Sequence, residues 1–93
     1  MENPKEKYTK LLEQLKDGFD WPTVYMFKFI VPADNSKIAQ VENLFNSTEA
    51  QVSMRNSSKG NFVSVTAKEL MMSPESVVER YLQAEGIEGL ISL

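Results

Sequence analysis

The sequence predicts an α+β fold of the ferredoxin-like split βαβ kind: one helix, then β-α-β-β-α-β, with a four-stranded antiparallel sheet in the order 4-1-3-2. Three observations carry this. Apolar residues recur at helical spacing in three stretches and alternate or run together in four others, and the order of those periods is the order of the elements. The most apolar of the strand-like stretches, Thr23 to Val31, comes first among them, where right-handed crossovers place it inside the sheet with both internal helices on one face. A length of 93 residues with 42% hydrophobic side chains supports one compact core and not two. The whole chain, 1–93, therefore reads as a single domain, an N-terminal helix over 1–19 followed by a βαββαβ core over 22–93.

Each element has its own local reason. Tyr8, Leu11, Leu12, Leu15 and Phe19 form a helical stripe separated by Lys and Glu, with Gly18 as a stop. Trp21-Pro22 breaks that helix. In the first strand Tyr25, Phe27, Phe29 and Val31 share the buried face, and Met26, Lys28 and Ile30 the other. Pro32-Ala33-Asp34-Asn35 makes a turn whose Asp34 or Asn35 caps a second helix, striped by Ile38, Val41, Leu44 and Phe45 and ending near Asn46. Glu49 to Arg55 alternates strictly, with Ala50, Val52 and Met54 on one side, as a half-buried strand does. The turn formers of 56–61 join it to a second alternating run, Phe62 to Lys68, with Val63, Val65 and Ala67 inward. Ser73-Pro74-Glu75 combines an N-cap, a proline in the first turn and an acid at the positive end of the dipole, and Val77, Val78, Tyr81 and Leu82 follow as a stripe. Ile87 to Leu93 reads as the last strand, with Ile87, Gly89 and Ile91 on one face and Leu90 on the other.

Composition narrows function mainly by exclusion. The chain has no histidine and no cysteine, so the imidazole base, the thiolate nucleophile, disulfides and the commonest zinc ligands are absent. No metal, cofactor or catalytic residue is expected. No apolar run reaches the 18 or so residues of a spanning helix, and the charged start Met1 to Lys7 lacks a secretory apolar stretch, so a cytoplasmic protein without membrane contact is expected. Charge is uneven: residues 69–93 hold five acids and one base, within a chain of 10 basic and 13 acidic residues.

Trp21-Pro22-Thr23 before the first strand, Lys28 within it, the hairpin Ser57-Ser58-Lys59-Gly60-Asn61-Phe62 with Ser64-Val65, and the closing Ile87 to Leu93 together resemble the YbeD-like family of small bacterial proteins. The resemblance covers most of the chain, and its hairpin is the more specific part. It implies an ACT-like fold and a label as lipoate regulatory proteins, without an established biochemical activity. Ligand-binding ACT domains tend to carry glycine between the first strand and the next helix. Val31 to Asn35 has none and adds Asp34.

The hairpin is the candidate interaction site, with Ser57, Ser58, Lys59, Gly60, Asn61 and Phe62. A glycine-containing turn can aim successive amides at an anion, with Lys59 and two hydroxyls as further donors. The same residues are also what the turn itself needs. A lysine at a hairpin tip matches acyl-carrier domains in position, but its neighbours do not match theirs. Lys59 to Val65 partly matches an RNA-recognition signature, although it lacks the first aromatic and the net charge of −3 opposes phosphate. Glu75, Glu79 and Glu85 read as a solvated helix face rather than an acid–base pair, Trp21 as packing for the first helix, and Met71-Met72 as filling at a core edge.

The sheet face away from the internal helices should carry Met26, Lys28, Ile30, Gln51, Ser53, Arg55, Phe62, Ser64, Thr66 and Leu90, a mixture too apolar to stand bare. The N-terminal helix either covers this face through Leu11, Leu12 and Leu15, the preferred expectation, or extends the helical layer; with the face left open, a partner protein docks there. The expected function is a non-enzymatic regulatory or protein-interaction module with an unidentified protein partner, itself a monomer or weak homodimer. An ACT-like sensor of a small ligand or anion at Ser57–Asn61 is the alternative.

Overall fold

The computed structural model describes residues 8–47 and 49–93. Its elements follow the predicted order: α1 (Thr9–Gly18), β1 (Thr23–Pro32), α2 (Asn35–Leu44), β2 (Gln51–Asn56), β3 (Phe62–Met71), α3 (Pro74–Ala84) and β4 (Ile91–Ser92). The strands form one antiparallel sheet in the order β2-β3-β1-β4, the predicted 4-1-3-2 arrangement. Residues 1–7 of the predicted N-terminal helix lie outside the described residues.

The caps appear where the short polar residues stand. Asp34 accepts the Ser36 amide at 2.8 Å to open α2. Ser73 and Ser76 cap each other's backbone at the start of α3, with Pro74 in the first turn. Phe27, Phe29, Val31, Val65 and Val77 are fully buried between the sheet and the helix layer, so the inward faces of β1 and β3 match their alternation. Phe27 lies in a cluster of rings, with Tyr25 at 4.9 Å, Phe45 at 5.2 Å and Tyr81 at 5.4 Å between centroids.

The structure corrects three expectations. The first helix does not cover the open sheet face. It packs beside α3 and extends the helix layer, burying Tyr8 and Leu15. Tyr8 stacks on Tyr81 at 5.8 Å and donates its hydroxyl hydrogen bond to Glu85 at 2.8 Å, while the Trp21 indole donates to the Leu15 carbonyl at 3.0 Å and pins the helix end to the start of β1. The sequence shows an apolar stripe on this helix but not which apolar surface receives it.

The second correction is β2. It is exposed along its whole length, Val52 and Met54 included, because an edge strand at this distance from both helices has little above it. Third, β4 is two residues long rather than seven. Gly89 holds φ at +81°, and a Cβ there would lie 2.8 Å from the Pro32 ring, so the chain turns tightly against β1 before pairing with it. The turn shifts the parity of the last strand. Leu90 packs on the core, and Ile91 lies opposite Ile30 on the open face and is exposed. Elsewhere β3 runs three residues beyond the predicted end, and Met71 is buried while Met72 is 67% exposed.

One polar contact sits among the rings. Arg80 on α3 donates to both carboxylate oxygens of Glu69 on β3, at 3.1 and 3.0 Å, with its guanidinium 5.7 Å from the centre of Phe27 and 5.0 Å from that of Phe45. Both side chains are largely shielded, at 17% and 12% exposed. Removing one partner of such a pair strands the other charge, which costs about 3–5 kcal/mol. Arg80→Leu is therefore expected to lower stability by about that amount in urea melts, and Glu69→Met combined with Arg80→Leu to recover a large part of it.

Candidate functional site

The open face is laid out by register. Three rows cross the sheet from β2 through β3 to β1: Arg55, Ser64 and Ile30; Ser53, Thr66 and Lys28; Gln51, Lys68 and Met26. Beyond them Leu70 lies opposite Val24 at one end, and Phe62 opposite Pro32 at the other. Cations and hydroxyls thus form a middle belt, with exposed apolar side chains on either side, notably Val24, Met26 and Leu70 at one end and Phe62 and Ile91 at the other.

The charges of this face are all of one sign. Lys28, Arg55 and Lys68 point out of it, and none of the strand residues sharing the face is acidic. Among the described residues, ion pairs join Lys16 to Glu75, Lys37 to Glu88 and Arg80 to Glu69, and none engages Lys28, Arg55, Lys59 or Lys68. The protein carries a net charge of −3, yet the sheet side is a cationic surface.

The hairpin stands at the Phe62 end of this face. Gly60 holds φ at +74°, the left-handed conformation a residue without Cβ adopts freely. Its amide donates to the Ser57 carbonyl at 3.0 Å, the Ser57 amide donates to the Phe62 carbonyl at 2.9 Å, and the Phe62 amide donates to the Ser57 hydroxyl at 3.2 Å. The Asn61 carbonyl accepts the Ala33 amide at 3.0 Å, which ties the hairpin to the turn after β1. Ser57, Gly60 and Phe62 therefore spend these groups on the turn, while Ser58 and Lys59 stay exposed at the tip. An anion would meet Lys59 there, but not the Gly60 amide.

Next to the hairpin lies a hollow of about 350 Å³ lined by Ile30, Arg55, Asn56, Ser57, Phe62 and Ser64. It places one guanidinium and two hydroxyls beside an aliphatic and an aromatic wall. A larger hollow, of about 520 Å³, separates α1 from α3 and is lined chiefly by Leu12, Val78 and Leu82 with Glu75 and Glu79 at its rim. Tyr8, Thr9 and Gln83 also line it, and Glu75 is paired with Lys16 there; the smaller hollow is the one that adjoins the candidate hairpin. Sequence reading selected the hairpin and much of the open face. It missed Lys68 as part of that face, because β3 was ended there.

The acids of α3 do not converge. Glu75 and Glu79 are exposed, and Glu85 accepts from Tyr8. Burial first, and then the hydrogen bond and charge of Glu85, push the Tyr8 phenol up to about 12. Burial first, and then the hydrogen bond shared with Tyr25, raises Tyr81 above its ordinary value as well. The sign follows from linkage: the folded state holds these protons more tightly than the unfolded one. Stability is accordingly unaffected by them below the unfolded value of 10.0 and is lost as pH rises through about 12. Urea midpoints measured between about pH 9 and pH 11 are expected to fall, and Tyr8→Phe to flatten the decline.

Among the described residues, no helix is long and apolar enough to cross a membrane. Residues 16–90 match the family described as "Protein of unknown function (DUF493)", a stretch that runs from the end of α1 to the turn before β4 and includes all of β1, β2 and β3. No curated protein and no solved structure matches the chain.

Proposed function

Since the chain belongs to the DUF493 family, whose description names no activity, we propose its function from its own surface: a non-enzymatic regulatory module of the cytoplasm that docks an acidic protein partner on the open sheet face and the Ser57–Asn61 hairpin. The observation that carries this is the set of cations on the open face, Lys28, Arg55 and Lys68, one in each row and none in an ion pair among the described residues, with Lys59 at the hairpin tip. An acidic surface would complement them, and complementary charge steers association and suppresses wrong partners. The apolar ends of the face, Val24 with Met26 and Phe62 with Ile91, favour a protein over a nucleic acid. Single strands are held by stacking on several aromatic rings, and Phe62 is the lone aromatic here. The absence of histidine and cysteine supports a binding role rather than catalysis.

A second reading rests on the hollow beside Arg55. An amphipathic carboxylate would set its acid on Arg55 and its chain on Ile30 and Phe62. Lipoate and its precursor octanoate have that shape, and the tie to lipoate metabolism otherwise stands on resemblance alone.

Two measurements separate the readings. Partners cross-linked to the face in cell extract, identified and then titrated by calorimetry, are expected to be acidic, to bind more weakly as salt rises, and to bind Lys28→Glu/Arg55→Glu/Lys68→Glu at least about tenfold more weakly. Equal binding to the wild type and the reversed variant overturns the docking surface. Titration with octanoate and lipoate tests the hollow: shifts of the Arg55, Phe62 and Ser64 amides support it, and unmoved amides at about millimolar ligand discard it.

A further inference from the structure

The three rows of the open face form a grid, and Thr66 is its centre. Ser53 and Lys28 flank it on the neighbouring strands, about 5 Å away, and Ser64 and Lys68 stand before and after it on β3, about 7 Å away. Arg55 occupies the corner beside Ser53 and Ser64. Cations on long side chains, each from a different strand, therefore surround one hydroxyl. Two hollows adjoin there, one of about 350 Å³ with Lys28, Arg55 and Ser64 among its walls and one of about 240 Å³ reached by Lys68, and Ser53 and Thr66 line both.

Little of this polarity is spent within the protein. Among the described residues the hydroxyls of Ser53 and Thr66 make no hydrogen bond, Ser64 donates only a long one of 3.4 Å to the Arg55 carbonyl, and no carboxylate pairs with Lys28, Arg55 or Lys68. Glu69, the acid next to Lys68 in the chain, turns to the other face and is held by Arg80. Like charges gathered around one point repel one another, and an anion seated at Thr66 relieves that repulsion.

We propose that Thr66 marks a phosphoryl-binding site, which takes a phosphothreonine or phosphoserine of an extended protein segment laid along β3. The proposal rests on the acidic-partner reading above and names the group that the cations meet. A phosphoryl group brings nearly two negative charges and three acceptor oxygens arranged as a tripod. Lys28, Lys68 and Arg55 stand on three sides of Thr66, with the hydroxyls of Thr66 and Ser53 between them as further donors. One planar carboxylate meets an arginine fork or a lysine and leaves the other cations unmatched. The apolar ends of the face select a peptide over a free anion. Along β3, Leu70 and Phe62 are both exposed, and each lies four residues from Thr66, about 13 Å away. An extended segment covers that distance in four residues and turns the side chains at its ends to the same face, so apolar residues four positions to either side of the phosphorylated one reach them.

The full chain is titrated by calorimetry with a peptide that carries phosphothreonine at its centre and leucine four positions to either side, with the same peptide bearing threonine or glutamate at the centre, and with inorganic phosphate. The phosphopeptide is expected to bind with a Kd of about 50 μM, at least about tenfold more tightly than the other probes. Thr66→Val, which keeps the shape of the side chain, is expected to weaken it about threefold, and Lys28→Gln/Lys68→Gln at least about tenfold. Lys16→Gln, which removes the same charge from α1, is expected to leave it unchanged, and circular dichroism melts confirm that each variant folds. Equal binding of the phosphopeptide and the glutamate peptide overturns the phosphoryl site and leaves an acidic docking surface in place. Inorganic phosphate bound as tightly as the phosphopeptide overturns the peptide as its source. No phosphopeptide binding at about 1 mM, or binding untouched by the lysine pair, overturns the proposal outright. Failure of the acidic-partner reading itself shows separately, as equal binding of a cross-linked partner to the wild type and the charge-reversed variant.

Discussion

Arg80 leaves α3 pointing into the seam between helices and sheet, where its guanidinium meets both oxygens of Glu69 and spreads over the rings of Phe27 and Phe45. One side chain thus ties α3 to β3 through charge, and to β1 and the end of α2 through ring faces. A planar, delocalised cation suits this place, because it donates in a fork to the carboxylate while presenting a weakly hydrated face to the aromatics. Around it Tyr25, Phe27, Phe45 and Tyr81 set their rings edge-on or tilted, so the helix layer has one seating on the sheet.

That seating decides what remains open. With α2 and α3 on one face, α1 had two apolar surfaces to choose between, the flank of α3 or the bare side of the sheet. Tyr8 settles on Tyr81 with its hydroxyl on Glu85, and the Trp21 indole holds the other end of the helix by the Leu15 carbonyl. Both contacts satisfy a polar group at the rim of an apolar one, which a mixed sheet face of Lys28, Thr66 and Ser53 offers less well. Among the described residues the sheet face therefore keeps its cations out of ion pairs, and each ion pair present involves a residue of a helix.

Short strands shape the rest. The turn forced by Gly89 against Pro32 consumes residues that would otherwise pair with the last residues of β1, so β4 is two residues long. The same economy appears at the hairpin, where Ser57 serves both the Gly60 and Phe62 amides and so leaves Ser58 and Lys59 as the outward groups. Function, on this account, belongs to the surfaces the core left unfilled.

Much of this was legible from residue order. The alternation of Phe27, Phe29 and Val31 and of Val63, Val65 and Ala67, together with the Asp34 and Ser73 caps, specifies strands, helices and topology, because these signals act within a few residues of one another. The hairpin and most of the open face follow from the same parity. Tertiary structure alone decided the seat of α1, the exposure of β2, the length of β4 and the pairing of Glu69 with Arg80. Each depends on which surfaces meet across the fold, and an apolar stripe or a charged side chain carries no address for its partner. Periodicity records that a face is to be buried, and only the packed molecule records against what.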